Sequence, residues 1–65
     1  MSISEWELWA CAQEMIRQHG PDAAIHAAMK ANFLLFDGDR EGASTWCRIV
    51  QRINQLEAGP RDLVH

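Results

Sequence analysis

Sixty-five residues and 7.4 kDa leave room for one small domain, and 48% hydrophobic with 23% charged residues is the balance of a folded chain. A net charge of −3 and a pI near 5.4 disfavour a protein that works chiefly by neutralising phosphates. Two cysteines are too few to staple a secreted mini-protein, and no run of about 18 apolar residues offers a bilayer span.

The opening residues Met-Ser-Ile-Ser-Glu-Trp-Glu lack the basic and apolar regions of an export signal, so a cytoplasmic location is expected. The first helix is expected over about 4–19. Ser4 and Glu7 have the spacing of a capping box, and Ser2 with Glu5 offers a competing one. Leu8, Trp9, Ala12, Met15, Ile16 and His19 recur at the spacing of one helical face. Trp6 lies roughly 120° from the centre of that stripe, which predicts a partly exposed aromatic.

His19-Gly20-Pro21-Asp22 is a stop and restart, with glycine closing one helix and proline opening the next. The second helix, about 21–36, is apolar over most of its circumference. Ile25, Ala28, Met29 and Phe36 share one face, while Ala24, Ala27, Ala31, Leu34 and Leu35 share another. Asp22, His26 and Lys30 form its polar strip, with Phe33 set among them, and Asn32 projects into the apolar arc, where its amide is expected to find partners. A helix of this kind is usually buried on several sides.

Asp37-Gly38-Asp39 is the second break. A third helix is expected over about 40–58, capped by Asp39, with Glu41 at the positive end of its dipole. Ala43, Trp46, Ile49, Val50, Ile53 and Leu56 supply its core stripe, and Thr45, Arg48, Gln51, Arg52 and Gln55 its wet face. Gly59-Pro60 is expected to end regular structure, leaving a tail at 59–65.

Three clusters carry a recognisable order: Glu7-Leu8-Trp9-Ala10-Cys11-Ala12, then His19-Gly20 with Asp22-Ala23, then Gly38-Asp39-x-x-Gly42-x-x-x-Trp46 with Ile49. Over residues 5–56 the chain resembles a family of short, mainly alphaproteobacterial proteins of unknown function. The resemblance implies a small helical domain and transfers no catalytic residue. Ala27–Phe36 departs from it in being richer in Ala and Phe.

Asp37-Gly38-Asp39-Arg40-Glu41-Gly42 opens like a calcium loop, but the twelfth position, which needs a bidentate glutamate, is Arg48. Asp39 is better read as a cap and Gly42 as a close-packing position. Cys11 and Cys47 lie at the edges of core stripes and read as small buried hydrophobes rather than a redox pair. Cys11, His19, His26, Cys47 and His65 lack zinc-motif spacing, so no metal is expected. Cys47 with His19 or His26 is the only nucleophile–base combination worth weighing, and its core-type setting beside Trp46 argues against catalysis. No cofactor is expected.

Two readings remain. Trp6, Ala24, Ala27, Ala31, Phe33 and Leu34 exceed what a three-helix core hides, so an interface is expected there, most simply a two-fold homodimer, with a second protein as the other occupant. Alternatively, the second and third helices form a helix-turn-helix that reads DNA through Arg48, Gln51, Arg52 and Gln55. That third helix nets only +1, against −2 for the first helix and −2 for the connector. The sequence therefore predicts an all-α, three-helix bundle-like single domain over 1–65. Its expected role is that of a non-catalytic protein–protein interaction or regulatory module, self-associating, with no membrane contact.

Overall fold

The computed structural model describes the backbone of residues 4–62 and the side chains of residues 4–57; Ser2 and His65 fall outside these ranges. The described chain is all helical. Helix α1 spans Glu5–His19, a 3₁₀ turn spans Gly20–Asp22, α2 spans Ala23–Phe36 and α3 spans Arg40–Asp62.

The start of α1 is a complete capping box. The Ser4 hydroxyl accepts from the Glu7 backbone N–H at 3.2 Å, and the Ser4 N–H donates to Glu7 Oε1 at 3.0 Å. Gly20 closes the helix, donating its N–H to the Ile16 carbonyl at φ 59°, ψ −130°. A Cβ there would meet no atom within 4 Å, so glycine is required by the backbone and not by crowding.

Only the single turn Gly20–Asp22 separates α1 from α2, with Pro21 in its first turn. The two helices therefore follow one another as a bent arm, and α3 folds back against both. The result is nearer a helical hairpin with one bent arm than the regular three-helix bundle the sequence suggests. Its extents of 41 × 23 × 20 Å match that elongated shape.

The α2–α3 junction is a Schellman motif. The Asp39 N–H reaches the Leu34 carbonyl at 2.8 Å and the Gly38 N–H reaches Leu35 at 3.1 Å, with Gly38 at φ 87°. Asp39 then caps α3: its Oδ1 accepts from the Gly42 N–H at 2.9 Å and its carbonyl from the Ala43 N–H at 3.0 Å. A Cβ on Gly42 would lie 2.6 Å from Asp39 Oδ2, so the glycine lets the capping carboxylate close over the first turn. One residue thus ends one helix and starts the next.

Helix α3 continues through Gly59 and Pro60 to Asp62, beyond the expected end near 58. Proline's fixed φ of about −65° is compatible with helical backbone, so the helix runs through Pro60 at the loss of the hydrogen bond that its N–H would have made to the Leu56 carbonyl.

The core is small: Leu8, Ala12, Ala23, Ala27, Ile49 and Ile53, ringed by Cys11, Met15, Ile16, Ala24, Trp46, Val50 and Leu56. The stripes expected on the first and third helices are the ones observed. Two tryptophans at its edge lie beneath cations, Arg52 5.3 Å from the Trp9 ring and Lys30 5.6 Å from the Trp46 ring.

Candidate interaction surface

Helix α2 is inverted. At about 100° per residue, Ala23, Ala27 and Ala31 form one narrow stripe, and this stripe is what it buries. Ile25, Met29 and Phe36 lie on the opposite side, flanked by Phe33 and Leu35, and all five are exposed. Phe36 keeps 96% of its surface in water and Phe33 74%, whereas Ala27 keeps 0%. An ordinary amphipathic helix does the reverse.

The cause is steric. Small side chains at i and i+4 let neighbouring helices approach α2 closely, and Ala23 and Ala27 share the core cluster with Ile49 and Ile53 of α3. With that seat taken by methyl groups, the large side chains have nowhere to go but outward.

This changes the expected interface. Ala27 and Ala31 are enclosed by the chain itself and offer no docking surface; the close neighbour that their size admits is α3. Ala24 and Leu34 are half-buried, while Phe33 is exposed. Trp6 is exposed as well, but not on the same patch. Glu5 is bound to Arg52, twelve residues along α3 from Arg40, so Trp6 sits about 18 Å along that helix from the end carrying Phe36. Asn32 is exposed rather than buried. The face opposite the alanines points to solvent, and Asn32 goes with it.

Shallow depressions flank the exposed aromatics. One, about 480 Å³, is open to solvent and lined by His26, Met29, Lys30, Phe33 and Leu34. Others lie between Asn32, Leu35 and Phe36 and around Phe33, Phe36 and Asp37. The lining of the first carries no hydroxyl, thiol or carboxylate.

The outer face of α3 is altered by one residue. Arg48, Gln51 and Gln55 are exposed, but the Arg52 side chain is only 18% exposed. Its Nε donates to Glu5 Oε2 at 2.7 Å and its guanidinium lies over Trp9. Arg52 stands one residue before Ile53, at the rim of the core stripe, so its stem packs inward instead of joining a wet face.

The titratable groups weighed from sequence do not converge. His19 and His26 stack across the 3₁₀ turn with ring centroids 4.0 Å apart and planes 19° from parallel. Stacked rings present faces, not nitrogens, to each other. Among the described residues no three of His, Cys, Asp and Glu gather as metal ligands. Cys11 is half-buried and Cys47 exposed, both as free thiols. Cys47 lies one residue, about 100°, past Trp46 and so turns out of the core stripe it was expected to edge.

The strongest electrostatic feature is local to α1. Glu14 accepts from Arg17 and from Gln18 Nε2 at 2.8 Å, and these bonds, Arg17's first, lower its carboxyl from 4.5 to about 2. Glu7 is also held below its usual value, by the Ser4 backbone N–H first and its hydroxyl second. Both shifts belong to helix construction rather than to a reacting site.

Fold and surface together define a small helical protein whose most distinctive feature is an uncovered apolar helix face. The chain belongs to a family of unknown function (DUF6961), whose profile matches residues 4–60. No curated protein and no solved structure matches it. Among the described residues, no helix is long and apolar enough to cross a membrane.

Proposed function

We propose that this protein is a non-catalytic interaction or regulatory module that works through the outward face of α2. One observation carries the reading: α2 buries alanines and leaves Ile25, Met29, Phe33, Leu35 and Phe36 in water. Contiguous apolar faces of this kind mark association surfaces, whereas single exposed hydrophobics do not. The alternative of duplex reading by α3 is weaker, because Arg52 is held by Glu5 and Trp9. Two free thiols suit a reducing, cytoplasmic setting.

Oxidative labelling of Met29, Phe33 and Phe36 in living cells and in dilute purified protein tests the reading whatever the occupant is. Slow labelling in the cell and fast labelling in dilute solution is the expected result. Equal, fast labelling in both contradicts it.

A further inference from the structure

Resting on that reading, we infer that the occupant of the α2 face is a second copy of this chain, laid antiparallel across a two-fold axis near the middle of α2.

Charge is the first ground. The chain carries −3, so most approaches of two copies bring carboxylates together. Helix α2 contains no acidic residue, and its only Lys or Arg, Lys30, stands over Trp46 of its own chain. The stripe Ile25–Met29–Phe36 is uncharged along its whole length, so along the stripe itself two copies meet without like-charge repulsion; Asp22 and Asp37 stand beyond its two ends.

Shape is the second. The face is bulky at its C-terminal end, where Phe33, Leu35 and Phe36 stand, and slim at its N-terminal end, where Ile25 and Ala28 stand. A parallel partner would set bulk against bulk. An antiparallel one sets Phe36 against the partner subunit's Ile25 and fills both ends.

Polarity is the third. Asn32 is the one amide on this face, and it lies close to the midpoint between Ile25 and Phe36. With Phe36 against the partner's Ile25 the axis falls between positions 30 and 31, so Asn32 and the partner's Asn32 lie on either side of it, about 4.5 Å apart along the helices. An apolar partner would offer that amide no hydrogen-bonding group, whereas a second copy brings one close to it.

Area is the fourth. Taking the roughly 150–250 Å² of a large aromatic side chain as the scale, the five exposed side chains present about 600 Å² of apolar surface. A standard interface takes about 800 Å² from each partner. With the exposed Ala28, Asn32 and His26 added, this face approaches the size that a dimer requires.

The test is sedimentation equilibrium at high micromolar concentration, joined to thiol cross-linking in a Cys11→Ser, Cys47→Ser background. The expected mass is twice 7.4 kDa. It falls to the single-chain mass in Phe33→Ser/Phe36→Ser and, independently, in Met29→Glu, with helical circular dichroism retained. Mixed Ile25→Cys and Phe36→Cys proteins should cross-link several-fold faster than either alone. A single-chain mass for the parent protein overturns the inference. If Met29, Phe33 and Phe36 are then still shielded in cells, the interaction surface stands and only its occupant is wrong; if they are not, both readings fall together. A dimer that survives both sets of substitutions overturns the inference too, since its interface lies elsewhere.

Discussion

Ala27 and Phe33 stand six positions apart on one helix, and the smaller is wholly enclosed while the larger keeps 74% of its surface in water. The pair captures the design of α2: its contact with α3 is built from methyl groups and its bulk is turned outward. Substitutions on the two sides should therefore act differently. Ala27→Leu forces apart two closely packed helices and should cost about 1–3 kcal/mol. Phe33→Ser, measured in dilute solution, should change stability by less than about 0.5 kcal/mol. Chemical denaturation of both variants checks this, and a larger loss at Phe33 than at Ala27 would contradict the assignment of faces.

Both positive-φ glycines act through backbone conformation. Gly38 at φ 87° closes the Schellman motif, and replacing it by alanine should cost about 1–2 kcal/mol, or roughly 4–8 °C of melting temperature per kcal/mol. Gly20 combines φ 59° with ψ −130°, a region still less open to other residues, so Gly20→Ala should cost more than Gly38→Ala. Neither position has a neighbour within 4 Å of the added carbon, so no repacking offsets the strain. Thermal melts of the two variants, ranked against each other, are the check.

How far the sequence discloses this molecule depends on which face of a helix one asks about. The stripes Leu8–Ala12–Met15 and Ala43–Ile49–Ile53 are legible because their periodicity is broken by charges on the other side. The Ser4–Glu7 box and the Asp37–Gly38–Asp39 break are legible because their chemistry is local. In α2 the periodicity gives no such guide: apolar residues surround the helix, so hydrophobicity cannot say whether alanines or large side chains face α3. Closeness of approach decides that, and it is a tertiary fact. Arg52 is a similar case, since its partner Glu5 lies forty-seven residues away. A signal existed there, because an arginine beside a core isoleucine has a rim position, not an outer one.

The Glu5–Arg52 pair ties the start of α1 to α3. Glu5 is mostly exposed, so the ion pair alone contributes about 0.2–1 kcal/mol, and stacking of the guanidinium on Trp9 adds a comparable amount. Arg52→Ala should therefore lose about 1 kcal/mol, and Glu5→Gln less. A double-mutant cycle should return a coupling of about 0.5 kcal/mol that shrinks with added salt. A coupling of zero would show that packing on Trp9 is the whole effect.

Acid titration should find Glu14 unusual. Its folded carboxyl sits at about 2 instead of 4.5, so whatever it contributes is present at neutral pH and is lost as pH falls from about 4.5 towards 2. The group is exposed, so salt screens the effect and its share of stability is small. Carboxyl chemical shifts should give Glu14 a midpoint of about 2. Glu14→Gln should flatten the low-salt stability profile in that interval. A midpoint near 4.5 in the folded protein would contradict the Arg17 and Gln18 bonds.

Thermal unfolding at two protein concentrations about a hundredfold apart tests the covered-face idea most directly. If a second copy seals Ile25, Met29, Phe33 and Phe36, mass action adds up to about 2.7 kcal/mol across that range, and the melting temperature should rise by roughly 10 °C. The same pair of melts on Phe33→Ser/Phe36→Ser should show no rise. A parent melting temperature independent of concentration would contradict self-association through α2.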